Sequence, residues 1–100
     1  MIKHIVFFRL KEQKDEELKQ KQLLELKNIL ESLKSKIDWI VHLEAGINYS
    51  TREVAFDLAL NSDFATNEDL EKYISHPEHQ KLVDFLNDIK KEVAVVDYVY

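Results

Sequence analysis

Apolar residues alternate with polar ones along four segments of this chain and recur at helical spacing along two others. In the first segment, Ile2, His4, Val6, Phe8 and Leu10 share one face of a strand, while Lys3, Ile5, Phe7 and Arg9 share the other. Both faces carry large apolar groups. From Asp15 to Lys36 the apolar positions Leu23, Leu26, Ile29, Leu30 and Leu33, continued by Ile37, trace one stripe with Glu and Lys opposite, which predicts a long amphipathic helix. Strands are predicted over Ile40 to Tyr49 and Val54 to Leu60, joined by a hairpin loop at Ser50-Thr51-Arg52-Glu53. Thr66, three residues before Asp69, is a candidate N-cap for a second helix. A third helical stretch presents Leu82, Phe85, Leu86 and Ile89, and a last strand is expected from Val93 to Tyr100.

The order β-α-β-β-α-β in 100 residues predicts one α+β domain over residues 1–100: a split βαβ, four-stranded antiparallel sheet with its helices on one face. Helices on one face leave the other open. That second face would show Ile5, Phe7, Ala55 and Ala59 to water, and a contiguous apolar patch of this kind predicts a homodimer formed through the sheet face, with a barrel-like core between two sheets.

Composition narrows the chemistry. The chain has 1 Gly, 1 Pro and no Cys, so flexible tethers, disulfides, thiolate catalysis and cysteine-ligated zinc are excluded. A formal charge of -5 spread along the chain argues against nucleic-acid partners, which require clustered Lys and Arg. Lys34 and Lys36 fall where a helix C-terminus welcomes cations. The charged N-terminal segment is too short for a leader, and no apolar run is long enough to cross a membrane. These features set the expectation of a soluble, cytoplasmic protein. There is no Gly-rich loop for a nucleotide, and no cofactor is expected.

The segment Tyr73-Ile74-Ser75-His76-Pro77-Glu78-His79 gathers the candidate chemistry. Pro77 lacks an amide donor and disfavours a helical residue before it, so one helix ends near Ser75 and another starts at Pro77. His79 then lies in the first turn of the new helix, where burial and the helix dipole both favour the neutral imidazole. The strand parities direct His4, Val6, Phe8, Phe56 and Leu58 toward the helices, so a cavity is predicted between these residues, Tyr73, His79 and Phe85. His76 is read as a cap, and His79 alternatively as a first-turn packing residue. His76 and His79 with Glu78 between them fall short of the three converging ligands a zinc site needs, so no metal site is predicted. Asp57 and Asp97 are read as sheet-face partners of Lys3 or Arg9.

Lys3-His4, Ala45-Gly46-Ile47-Asn48, Ala55-Phe56-Asp57-Leu58-Ala59-Leu60, the Tyr73 to His79 segment and Val95-Val96-Asp97-Tyr98 together resemble the stress-responsive A/B barrel (Dabb) domain family of the dimeric α+β barrel superfamily. The resemblance spans nearly the whole chain. It implies a ferredoxin-like fold and a dimer, and for most bacterial members no established activity. It also implies, from a plant cofactor-independent polyketide cyclase, that Tyr73 and His79 form a catalytic pair and that His4 is a pocket histidine. Two positions depart from that enzyme: Val54 stands where it has a further pocket histidine, and the first helix has no aromatic residue to match its tyrosine. Some members hold magnesium through backbone carbonyls near the end of the first helix, here around Leu33 to Ile37. Three functions stay open from sequence: a non-catalytic dimer that stabilises or binds a partner in a stress context through its sheet face, a dimeric stress-response protein with a pocket for a small apolar or aromatic ligand, and a cofactor-independent cyclase, lyase or monooxygenase-like enzyme using His79 as base and Tyr73 as its partner.

Overall fold

A computed structural model describes residues 1–100. Its elements are β1 (Ile2–Leu10), α1 (Glu16–Lys36), β2 (Ile40–Ile47), β3 (Leu58–Phe64), α2 (Asn67–Ile74), α3 (Pro77–Ile89) and β4 (Lys90–Val99). The sheet order is β2-β3-β1-β4, with every neighbouring pair antiparallel. This is the ferredoxin-like split βαβ arrangement, with the three helices on one side.

Each helix start has a stated cause. The Asp15 carboxylate accepts from the amides of Glu17 (3.0 Å) and Leu18 (3.4 Å) and opens α1. The Thr66 hydroxyl accepts from Asp69 N at 3.1 Å and opens α2. At the third start Pro77 occupies the first helical turn, and His76 Nδ1 accepts from Glu78 N at 3.0 Å. Around this break, Trp39 donates its indole N–H to the Asp69 carbonyl (3.0 Å) and stacks edge-on against His76, with ring centroids 5.7 Å apart. The chain direction between α2 and α3 is thus held by Trp39, the residue before β2, as well as by the proline.

The core lies between the helices and the inner sheet face. Leu23, Leu26, Leu30, Leu33 and Ile37 of the α1 stripe are buried against Ile40, Ala45, Leu58, Leu60 and Phe64. From β1, Val6, Phe8 and Leu10 are buried, while Phe7 on the opposite face stays 39% exposed. That face continues through β4, where Val96 and Tyr98 are about half exposed. In register they stand opposite Ile5 and Lys3.

Three strands differ from the periodicity in their boundaries. The third strand runs Leu58–Phe64, not Val54 to Leu60, because residues before it form an irregular connection rather than a short hairpin loop. Asn48 organises that connection: its side chain donates to Ser50 O and accepts from Ser50 N, and its amide donates to Asp57 O at 2.9 Å. The strand continues through Asn61-Ser62-Asp63, beyond the expected end at Leu60. Ser62 is buried and donates to the His4 carbonyl at 3.1 Å, and Asp63 is held by Lys3 at 2.8 Å. β2 stops at Ile47 rather than Tyr49, with a register shift between Ile40 and His42, and β4 begins at Lys90 rather than Val93.

Removing a fully buried leucine should therefore cost far more than removing one on the same helix's outer side. Leu26→Ala (0% exposed) is expected to lower unfolding free energy by about 2–5 kcal/mol, and Leu24→Ala (54% exposed) by less than about 0.5 kcal/mol. Urea denaturation of both variants checks the pair.

Candidate functional site

A cavity of about 280 Å³ opens between α3 and β4 and is floored by β1 and the end of α2. Its volume is at the small end of ligand pockets, which run from roughly 300 to 1,000 Å³. The walls are apolar: Val6 and Phe8 of β1, Leu60 of β3, Ile74 of α2, Leu82, Val83 and Leu86 of α3, and Val93 and Val95 of β4. Against this background stand four polar side chains, His4, Tyr73, His79 and Asp97, with Lys90 at the foot of β4.

Tyr73, His79 and His4 come together from three elements. Tyr73 is fully buried, its ring packed edge-on to both imidazoles with centroids 4.8 Å from His79 and 6.0 Å from His4. Phe64 supports it from behind at 5.1 Å. Neither the Tyr73 hydroxyl nor His79 Nδ1 has a hydrogen-bond partner, although both atoms are buried. The two residues are thus ring neighbours rather than a hydrogen-bonded couple. Burial raises the pKa of the Tyr73 phenol, which therefore stays a protonated donor across the physiological range. Burial and then the neighbouring His4 hold the His79 imidazole below its usual range, opposed by the Ile74 backbone. At pH 7 His79 is accordingly neutral.

His4 has a partner that the sequence did not assign. Its Nδ1 lies 2.5 Å from Asp97 Oδ1, in a cross-strand pair set by the β1–β4 register. Asp97 therefore belongs to the cavity and is not a partner of Lys3 or Arg9. Period two in the last strand places Val93, Val95 and Asp97 on one face, but only the register puts the carboxylate opposite His4. Asp57 likewise pairs elsewhere, accepting from Leu10 N at 2.8 Å and from Lys19 at 3.2 Å. Arg9 pairs with Glu92 and covers the Phe56 ring at 4.2 Å.

The remaining expected pocket residues divide. His4, Val6, Phe8, Tyr73 and His79 line the cavity. Phe56 lies outside it, because the irregular connection before β3 turns the ring toward Phe7, 6.0 Å away, at a separate open depression. Leu58 is buried in the core and lines that depression rather than the cavity, and Phe85 packs on the core without reaching the cavity wall. Leu60 and the α3 and β4 apolar residues take their places.

The metal possibilities can be tested on donors. No three His, Asp or Glu side chains converge as a ligand group. At the end of α1 the Leu33 carbonyl accepts from Ile37 N at 2.9 Å, and Lys34 and Lys36 stand in the same turn.

Fold and cavity together define a ferredoxin-like α+β protein with a histidine- and tyrosine-bearing pocket between sheet and helices. The chain belongs to the Dabb family, the stress responsive A/B barrel domain, whose pattern matches residues 2–100. A stress-response A/B barrel domain-containing protein of Arabidopsis thaliana is 26% identical over 99% of this chain and 47% of its own length, so the chain spans about half of that relative. A dimeric protein of unknown function with a ferredoxin-like fold from Bacteroides fragilis is 34% identical, with a TM-score of 0.90 over 99% of this chain and 95% of its own. A hydroxynitrile lyase from Passiflora edulis shares the fold at 20% identity, TM-score 0.82, covering 99% of this chain and 92% of its own.

Two outcomes follow from the unpartnered atoms. Tyr73→Phe removes a buried hydroxyl that bonds to nothing, so chemical denaturation should show stability unchanged or raised by about 1 kcal/mol. A loss above that size would mean the hydroxyl has a structural partner. His79 has a folded-state pKa below its unfolded value, so the unfolded chain binds more protons. Its contribution is complete above the unfolded value of about 6.5 and is lost as pH falls through the folded one. Stability curves of the parent and of His79→Gln should accordingly converge as pH drops from 7 to 5.

Proposed function

We propose that this protein is a homodimer packed through its outer sheet face, and that each protomer keeps a pocket for a compact, apolar-bodied molecule carrying one carbonyl or hydroxyl oxygen. The observation that carries the pocket reading is the pair of buried atoms without partners, Tyr73 Oη and His79 Nδ1. Leaving a polar atom buried and unpaired costs roughly 1–3 kcal/mol. Both residues line a largely apolar cavity, so a ligand oxygen that reaches these atoms recovers that cost. The size and walls of the cavity select a small aliphatic or aromatic body.

The dimer rests on the outer face, where Phe7, Val96 and Tyr98 form an apolar band on neighbouring strands β1 and β4. Solved relatives with this fold are described as dimeric, among them those from Bacteroides fragilis and Thermobifida fusca. We infer a cytoplasmic setting for this acidic A/B barrel domain.

A second reading, a cofactor-independent acid–base enzyme, draws on the same atoms. Tyr73 is a protonated donor and His79 a neutral imidazole at pH 7, which is the pairing needed to polarise and protonate or deprotonate a substrate oxygen. The fold is shared with a protein described as a hydroxynitrile lyase and with one described as an antibiotic biosynthesis monooxygenase.

Sedimentation at micromolar concentration should give about twice 11.9 kDa. Phe7→Asp, which would place a carboxylate in the sheet-to-sheet core, should dissociate or unfold it; a stable Phe7→Asp dimer refutes the interface. Phenylacetone, a compact aromatic ketone, should raise the melting temperature of the parent, and Tyr73→Phe should weaken its binding by about tenfold, the value of one neutral hydrogen bond. In any turnover found with a carbonyl substrate, His79→Ala should lower the rate on the order of 100-fold.

A further inference from the structure

The cavity contains a second imidazole, and the structure equips it differently from His79. We infer that Asp97 is a positioning residue that makes His4 a proton-accepting base, and that the pocket thereby acts on small enolisable ketones, taking a proton from the carbon next to the carbonyl. The inference rests on the pocket and acid–base readings above and adds the residue, the proton and the substrate class.

The argument begins with register. His4 and Asp97 are directly opposed residues of β1 and β4, and their side chains leave the sheet on the same face. Asp97 Oδ1 lies 2.5 Å from His4 Nδ1, and the carboxylate makes no other side-chain hydrogen bond or ion pair. A carboxylate has only acceptor sites, so it selects the neutral tautomer with the proton on Nδ1. The lone pair is then on Nε2. His4 is 5% exposed and lines the cavity, edge-on to the Tyr73 ring. A base held in one tautomer by a third group is the arrangement that activates imidazole in unrelated hydrolases. A cross-strand pair kept only for sheet stability would contribute about 0.2–1 kcal/mol and would not need an otherwise apolar cavity beside it.

His79 has no such orienting carboxylate, and its Nδ1 is unpaired. The two imidazoles therefore divide the work. With the ketone oxygen directed at Tyr73 Oη–H and His79, the carbon α to the carbonyl is presented to His4. Nε2 takes the α proton. The C–H electron pair becomes the new C=C bond, the carbonyl π pair moves onto oxygen, and the Tyr73 hydroxyl donates to that oxygen. Return of a proton from His4 to carbon restores the ketone. In deuterium oxide the returned proton is deuterium, so each cycle is visible without any co-reactant.

The test is exchange of the α protons of phenylacetone, followed by proton NMR in deuterium oxide, with the full chain and with Asp97→Asn, His4→Gln and His79→Gln. Asp97 lies at the cavity rim, 42% exposed, so Asp97→Asn is expected to fold. Its amide can donate toward Nδ1 and shift the proton to Nε2. Exchange should fall on the order of 100-fold or more in Asp97→Asn and in His4→Gln, with phenylacetone affinity within about threefold of the parent for Asp97→Asn, as expected when uniform binding is untouched. The same variant should lose the low-field His4 Nδ1–H resonance expected in water, which reports the tautomer; the split between lost exchange and retained affinity is what a packing role would not produce. Wild-type exchange rates in Asp97→Asn, or exchange abolished only by His79→Gln, overturn the assignment of the base. Phenylacetone that shifts the resonances of Tyr73 and His79 but exchanges no protons overturns this inference and leaves the pocket reading standing. Absence of both binding and exchange overturns the two together.

Discussion

Alternation in β1 is the constraint on which the rest of the structure depends. As the strand shared by β3 and β4, it must satisfy two environments at once, and period two separates them: Val6, Phe8 and Leu10 go to the helices, Ile5 and Phe7 to the other side. A slip of one residue would send Phe8 and His4 outward and Phe7 and Lys3 into the core. The same alternation places His4 on the inner face, where the helices have to accommodate a polar ring among leucines. The burial that builds the core therefore also builds the pocket.

The break between α2 and α3 is the second determinant. A continuous helix would carry residue 79 about 9 Å along the axis beyond Tyr73 and about one and two-thirds turns round it. Pro77 instead restarts the helix, and His76 uses its Nδ1 on the Glu78 amide. The outcome is a ring contact of 4.8 Å between Tyr73 and His79 with both polar atoms unspent. His76, beside the proline, is thus committed to structure, whereas His79, three residues later, keeps Nδ1 without a partner. Electrostatics follow from this packing: desolvation is the leading cause of both the raised phenol and the lowered imidazole.

Stability and chemistry pull against each other around Tyr73. Its ring is among the largest fully buried groups and ties α2 to β1 and β3, while its hydroxyl has no hydrogen-bond partner. A phenylalanine would serve the core equally well. Keeping the tyrosine makes sense where something enters the cavity to accept its proton or hydrogen bond.

The sequence by itself determined the element order, the long α1 stripe, the caps at Thr66 and His76, the proline restart and the inward set His4, Val6, Phe8, Tyr73 and His79, because these follow from local sterics and from periods of 2.0 and 3.6 residues. It misplaced β3, since Asn61-Ser62-Asp63 look like a turn until Ser62 is seen bonding to the His4 carbonyl and Asp63 to Lys3 across the sheet. It also sent Phe56 to the wrong side, since alternation carries information only where the backbone stays extended, and the connection after Asn48 does not. Only the tertiary structure decided that Asp97 stands against His4. That pairing joins residues 93 positions apart, and its register is set by strand twist, the bulge beside Leu10 and the fit of the whole sheet, none of which leaves a mark on the local spacing of residues.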